Sequence, residues 1–170
     1  MRRGMGIILL FLASSLAVAA QDFPKAELFG GYQYTRQNST NLSGWDANFT
    51  GNYNRWFGLT GDFSGAYNSR AGVDFRSYTF AFGPTVAARS NGMLTPFAHV
   101  LLGGVHQVAA AGSSTLGTAT GFAFIAGGGL DAKITSHLAA RVAQIDYMSF
   151  HLSGSSANIF RYSGGIVVRF

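Results

Sequence analysis

The stretch Phe160-Arg161-Tyr162-Ser163-Gly164-Gly165-Ile166-Val167-Val168-Arg169-Phe170 decides the fold. Successive side chains of a strand point to opposite faces. Phe160, Tyr162, Gly164, Ile166, Val168 and Phe170 therefore share one face, and Arg161, Ser163, Gly165, Val167 and Arg169 share the other. No helical period sorts two arginines from this many aromatic and branched residues, whereas a period of two does so cleanly.

The same alternation recurs upstream. Trp45, Ala47, Phe49, Gly51 and Tyr53 alternate with Asp46, Asn48, Thr50 and Asn52. Phe57, Leu59, Gly61, Phe63, Gly65 and Tyr67 alternate with Gly58, Thr60, Asp62, Ser64 and Ala66, and only Asn54-Arg55-Trp56 separates the two runs, as in a hairpin. Tyr78, Phe80, Phe82, Pro84, Val86 and Ala88 alternate with Thr79, Ala81, Gly83, Thr85 and Ala87, and the turn-forming Ser90-Asn91-Gly92 follows. Strands of about ten residues that are apolar on one side and polar on the other are the signature of a membrane barrel.

Eight such segments are expected, near 26–35, 45–54, 56–67, 76–89, 95–109, 120–133, 137–150 and 158–170. Short connectors fall near 54–56, 90–94 and 134–136, and longer loops are expected at 36–44, 68–75, 110–119 and 151–157. The reading is an all-β, up-and-down antiparallel barrel of eight strands, with both termini on the periplasmic side. The fifth to seventh segments are the weak part. Pro96 to Leu102 is apolar on both faces, and an inward Arg141 sends Gln144 and Asp146 toward lipid. A bulge between them, or an interfacial Asp146, would resolve the conflict.

The start of the chain reads differently. Met1-Arg2-Arg3, the apolar run Ile7–Leu12 and the small residues Val18-Ala19-Ala20 form a signal peptide over 1–20, cleaved near Ala20, before a barrel domain over 21–170. Export without a single cysteine leaves neither a disulfide framework nor a thiolate metal site. Charged residues make up 11% of the chain and aromatics 14%, against about 25% charged in an average soluble domain. Arg2 and Arg3 leave with the signal, so ten Lys/Arg face seven Asp/Glu in the remainder, and the excess is scattered. Nucleic acid therefore has no basic patch to bind. Trp45, Tyr53, Trp56, Tyr67, Tyr147, Phe150 and Tyr162 fall near segment ends, where rings suit the headgroup level of a bilayer.

On Glu27-Leu28-Phe29-Gly30-Gly31-Tyr32, Gly51 to Gly58, Pro96-Phe97-Ala98-His99, Gly127-Gly128-Gly129-Leu130-Asp131, Arg141 with Asp146-Tyr147, and the final Phe170, the chain resembles the small outer-membrane β-barrels. These are the barrel of outer membrane protein A and its opacity or porin-like relatives. The resemblance implies bacterial outer-membrane lipid as the surroundings and a monomer as the assembly. It also implies that the barrel-assembly machinery reads Tyr162, Ile166, Val168 and Phe170. No peptidoglycan-binding domain is expected after Phe170.

Candidate functional residues lie in the lumen: Glu27, Asp62, Asp131, Arg76, Arg141, Arg161 and Arg169. Interior charges need partners, so a structural ion network is the first reading and a narrow porin-like channel for ions or small solutes the alternative. Catalysis finds no pattern. His99, His106, His137 and His151 lie on different segments without metal-ligand spacing, and the odd spacing of seven puts His99 and His106 on opposite faces. No Gly-x-Ser-x-Gly occurs, no carboxylate is placed to pair with Glu27, and Gly127-Gly128-Gly129 reads as close strand packing. A non-enzymatic barrel without a cofactor, in a structural or surface-interaction role, is the expectation. A soluble secreted barrel for an apolar ligand is a further alternative, and it requires apolar residues inside and charges outside.

Overall fold

The computed structural model describes residues 23–37, 40–70, 72–89, 92–112, 114–152 and 155–170. The 1–20 signal segment lies outside the described residues, as do Ser90 and Asn91 of the expected turn. Eight strands follow in order: β1 Ala26–Gln37, β2 Thr40–Asn52, β3 Phe57–Arg70, β4 Val73–Ala87, β5 Leu94–Ala111, β6 Ser114–Lys133, β7 Leu138–Leu152 and β8 Ser155–Arg169. Each pairs antiparallel with its neighbour, and β1 with β8 closes the barrel from Glu27↔Arg169 to Arg36↔Phe160. Closure reaches the last residue: Lys25 N–H donates to the Phe170 carbonyl at 2.7 Å, and Phe170 N–H to that of Ala26 at 2.9 Å.

The barrel inverts the arrangement of a soluble protein. Phe63 and Phe80 are 57% and 61% exposed on the outer wall, while Asp62 and Arg161 inside are 0% exposed. Every alternating set read from the sequence keeps its aromatic members outside and its polar members inside, and Val167, on the arginine face of β8, is buried with them. A soluble ligand-binding barrel would need the reverse, so that alternative is overturned.

The connectors also differ from expectation. The loops foreseen at 36–44, 68–75, 110–119 and 151–157 are mostly strand. Only two residues separate β1 from β2, β3 from β4, β5 from β6 and β7 from β8. The wider gaps are at the end that carries the termini, at 53–56, 88–93 and 134–137. The reason is physical. Past the apolar belt both faces of a strand are wet, so alternation vanishes, yet the backbone ladder continues because its hydrogen bonds do not depend on side-chain polarity. Spanning a bilayer takes about 9–11 residues, whereas β5 and β6 have 18 and 20. Gly72 and Gly112, at φ of 79° and 57°, supply the left-handed backbone that two-residue hairpin turns require.

A bulge resolves the seventh segment. Arg141 pairs with Gly165 and Gln144 with Ser163, so Val142 and Ala143 together oppose Gly164. Both face outward, which returns Gln144 and Asp146 to the interior. The same shift turns Phe150 inward, where it is buried, so it is no interfacial aromatic. It joins Leu101, Val105, Ile125, Met148 and Ile159 in an apolar cluster on one side of the half of the lumen away from the termini.

Candidate functional site

The rest of the lumen is a polar and charged network to which all eight strands or their ends contribute. At the terminal end, β1 presents Glu27, which accepts hydrogen bonds from Arg89, from Asn52 of β2 at 3.2 Å and from Arg169 of β8 at 3.0 Å. Arg169 also lies 3.7 Å from Asp131 of β6. Asp131 holds Arg141 of β7 through two bonds, at 2.8 and 3.2 Å. The Arg141 guanidinium lies between two rings, 4.3 Å from the centroid of Phe29 and 4.2 Å from that of Phe97.

From Arg141 the chain of contacts runs inward. Arg141 donates to Gln144 at 2.7 Å, and Gln144 donates to Asp146 at 2.7 Å. Arg161 of β8 is the centre: it binds Asp62 of β3 with both Nη groups at 2.9 Å, and its Nε donates to Asp146 at 2.8 Å. Its Nη1 also donates to Ser64 at 3.1 Å and lies 3.7 Å from Asp46 of β2. One guanidinium thus spans the lumen from β8 to β3. The planar fork of arginine suits this work, because it can serve two carboxylates at once.

Glycine makes room for these groups. On the inner wall Gly127 of β6 sits between His99 of β5 and Asp146 of β7. A Cβ at Gly127 would collide with the Asp146 carboxylate. With that space open, His99 Nε2–H reaches Asp146 at 2.9 Å across the intervening strand. A Cβ at Gly129 would likewise meet the Phe97 ring at 2.8 Å, the ring that stacks on Arg141. The glycine triplet packs strands closely and also seats two members of the network.

Six of the seven lumen candidates are buried in the interior: Glu27, Asp62, Asp131, Arg141, Arg161 and Arg169. Arg76 is not. It has the parity of Tyr78 and Phe80, and stands exposed on the outer wall. Asp46, Asn52, Arg89, His99, Gln144 and Asp146 were missing from the candidates. Asp46 and Asn52 stood on the polar face of an alternating run and were legible there. Arg89 lies past the end of β4, where no alternation marks it, and is recognised only through its contact with Glu27. His99 is buried and His106 is exposed beside Thr120, in accord with their odd spacing. Among the described residues no three His, Asp or Glu side chains converge as a metal site.

Three solved structures share this architecture. Neisserial surface protein A superposes with a TM-score of 0.68 at 14% identity, covering 88% of this chain and 98% of that one. Ail, the attachment invasion locus protein of Yersinia pestis, gives 0.61 at 18% identity, covering 87% and 99%. The N-terminal β-barrel domain of OprF from Pseudomonas aeruginosa gives 0.58 at 13% identity, again covering 87% and 99%. No protein-family model and no curated protein matches the sequence. Across nearly its whole described length, the chain has the fold of the small eight-stranded outer-membrane β-barrels.

Proposed function

We propose that this chain is a non-enzymatic integral barrel of the bacterial outer membrane, with a structural or surface-interaction role and with both termini on the periplasmic side. The bonded network across the lumen is the observation that carries the reading. Arg161 clamps β8 to β3 and β7, and Arg141 is sandwiched between Phe29 and Phe97, so the interior is occupied by bonded side chains. Eight strands enclose about as much space as their own inward side chains fill. The apolar outer wall supports lipid as the surroundings, since only a closed barrel pairs every backbone group of a β structure within a bilayer. Surface interaction has support from one structural neighbour, a protein named for attachment and invasion. Tyr162, Ile166 and Phe170 stand exposed on the outside of β8 and its end, open to a barrel-assembly machine.

Planar-bilayer recording with membrane fractionation tests the reading. The purified protein is expected to fractionate with outer membranes, to migrate differently on gels before and after boiling, and to show no discrete conductance. Reproducible single-channel steps would make it a channel, and recovery among soluble periplasmic proteins would overturn the membrane placement.

A further inference from the structure

Five carboxylates are buried in the lumen, Glu27, Asp46, Asp62, Asp131 and Asp146, against four guanidiniums, Arg89, Arg141, Arg161 and Arg169. The shortfall comes to rest on one residue. Arginine has five N–H groups. Those of Arg161 go from Nε to Asp146, from Nη1 to Asp62 and Ser64, and from Nη2 to Asp62, with Asp146 also 2.7 Å from Nη2. No N–H is left for Asp46. Its Oδ1 lies 3.7 Å from Nη1, and neither of its oxygens accepts a hydrogen bond among the described residues. His99 does not repair this, because it bonds Asp146, which Arg161 already serves. A carboxylate so enclosed is costly without a counter-charge.

Two neighbouring strands bring further unbonded oxygens to the same place. Gln33 of β1 and Ser163 of β8 oppose each other on the inner wall, and Asp46 of β2 stands on the diagonal from Gln33. Both are more than nine-tenths buried, and neither Gln33 Oε1 nor Ser163 Oγ has a hydrogen-bond partner among the described residues. Ser163 faces the Asp46 carboxylate. Glycines at 31, 44 and 165 put no side chain on the inner wall between these groups. A cavity of about 30 Å³, lined by Gln33, Thr35, Ser64, Ser77 and Thr79 on its polar side, adjoins them. It has room for a water or two.

Going beyond the reading above, we propose that Asp46, Gln33 Oε1 and Ser163 Oγ hold one monovalent alkali cation of the sodium class inside the barrel. Water in the adjoining cavity completes its shell. Carboxylate, amide, hydroxyl and water oxygens are the hard donors that such ions take. A single surplus charge and a single free carboxylate select a monovalent ion over a divalent one, which draws on several carboxylates.

The test compares unfolding in non-ionic micelles in sodium chloride and in choline chloride of equal ionic strength, choline being too large for the site. Sodium should lower the unfolding equilibrium constant saturably, by about tenfold at ten times its Kd. Asp46→Asn should abolish the sodium effect. In choline chloride that variant should be no less stable than the unaltered protein, because asparagine carries no charge to compensate. Gln33→Leu keeps the charge but removes one oxygen, and should raise the sodium concentration needed for half the effect. Asp74→Asn, on the outward face of β4, should leave the effect intact. Equal stability in the two salts overturns the proposal and assigns Asp46 a proton instead; a sodium effect that survives Asp46→Asn overturns it as well. Should Asp46→Asn fail to fold, infrared spectra of the unaltered protein decide. Sodium is expected to shift a carboxylate stretching band relative to choline, and identical spectra overturn the proposal. Neither result bears on the membrane reading.

Discussion

The half of the lumen near the termini and the half away from them are enclosed by the same eight strands but held together in different ways. The first is ionic: Glu27, Asp131, Asp62 and Asp146 are each bonded to arginine, and Arg161 serves two strands besides its own. The second is largely apolar, with Leu101, Val105, Ile125, Met148 and Phe150 packed together beside hydroxyl and amide side chains of the facing strands. Charged groups in a dry interior are strongly interdependent, since removing one partner leaves the other buried and unpaired. Apolar packing degrades in smaller increments, methylene by methylene. The contrast sets an interdependent group of bonds beside a group of independent contacts within one barrel.

Arg161→Met should break the comparison most sharply. It leaves Asp62 and Asp46 without their arginine and Asp146 with His99 and Gln144 alone, and a loss of about 3–5 kcal/mol in urea unfolding from detergent micelles is expected. A cost smaller than that of an apolar truncation would refute the ranking of the two halves. Leu101→Ala, in the far cluster, should cost about 3 kcal/mol and leave heat-modifiable gel mobility intact, because no charge is exposed by it. Ile166→Arg asks the complementary question on the outer wall of β8. A guanidinium that is welcome at position 161 is expected to cost about 2–4 kcal/mol near the bilayer midplane and less toward the interface. If refolding into lipid vesicles shows no penalty, position 166 does not face hydrocarbon.

Legibility in the sequence follows the same division. Alternation is visible only where the two faces of a strand meet different surroundings. In β2, β3 and β8 lipid lies outside and charges inside, so Trp45 with Asp46, Phe63 with Asp62, and Phe160 with Arg161 announced their faces. In β5 lipid lies outside and the apolar cluster inside. Val100 and Leu101 therefore look alike in sequence while pointing opposite ways, one exposed and one fully buried. Beyond the belt the ambiguity is reversed: the Asn, Ser, Gly and Thr tracts read as loops because water bathes both faces, although they continue the ladder. The bulge at Val142–Ala143 was one of two open solutions, decided only by how Arg141 and Gln144 pair with β8. Arg76 was misplaced because a charge on a strand suggests the lumen, whereas a cation near a strand's end is equally well solvated on the outer face.

The smallest effect probes whether the ionic half owes its strength to charge alone. Thr60 stands between Thr50 and Thr85, its hydroxyl 2.8 Å from one and 2.6 Å from the other, in a buried row between the Glu27 and Asp62 layers. Thr60→Val keeps the shape but removes the shared partner, so about 1–2 kcal/mol should be lost. Replacing Thr50, Thr60 and Thr85 together by valine removes the need for partners altogether, and should cost less than three times the single change, because apolar groups of equal shape leave nothing unsatisfied. Additive losses across the three sites would mean that each hydroxyl also serves the charged layers beside it. The row would then belong to the same interdependent unit as Arg161.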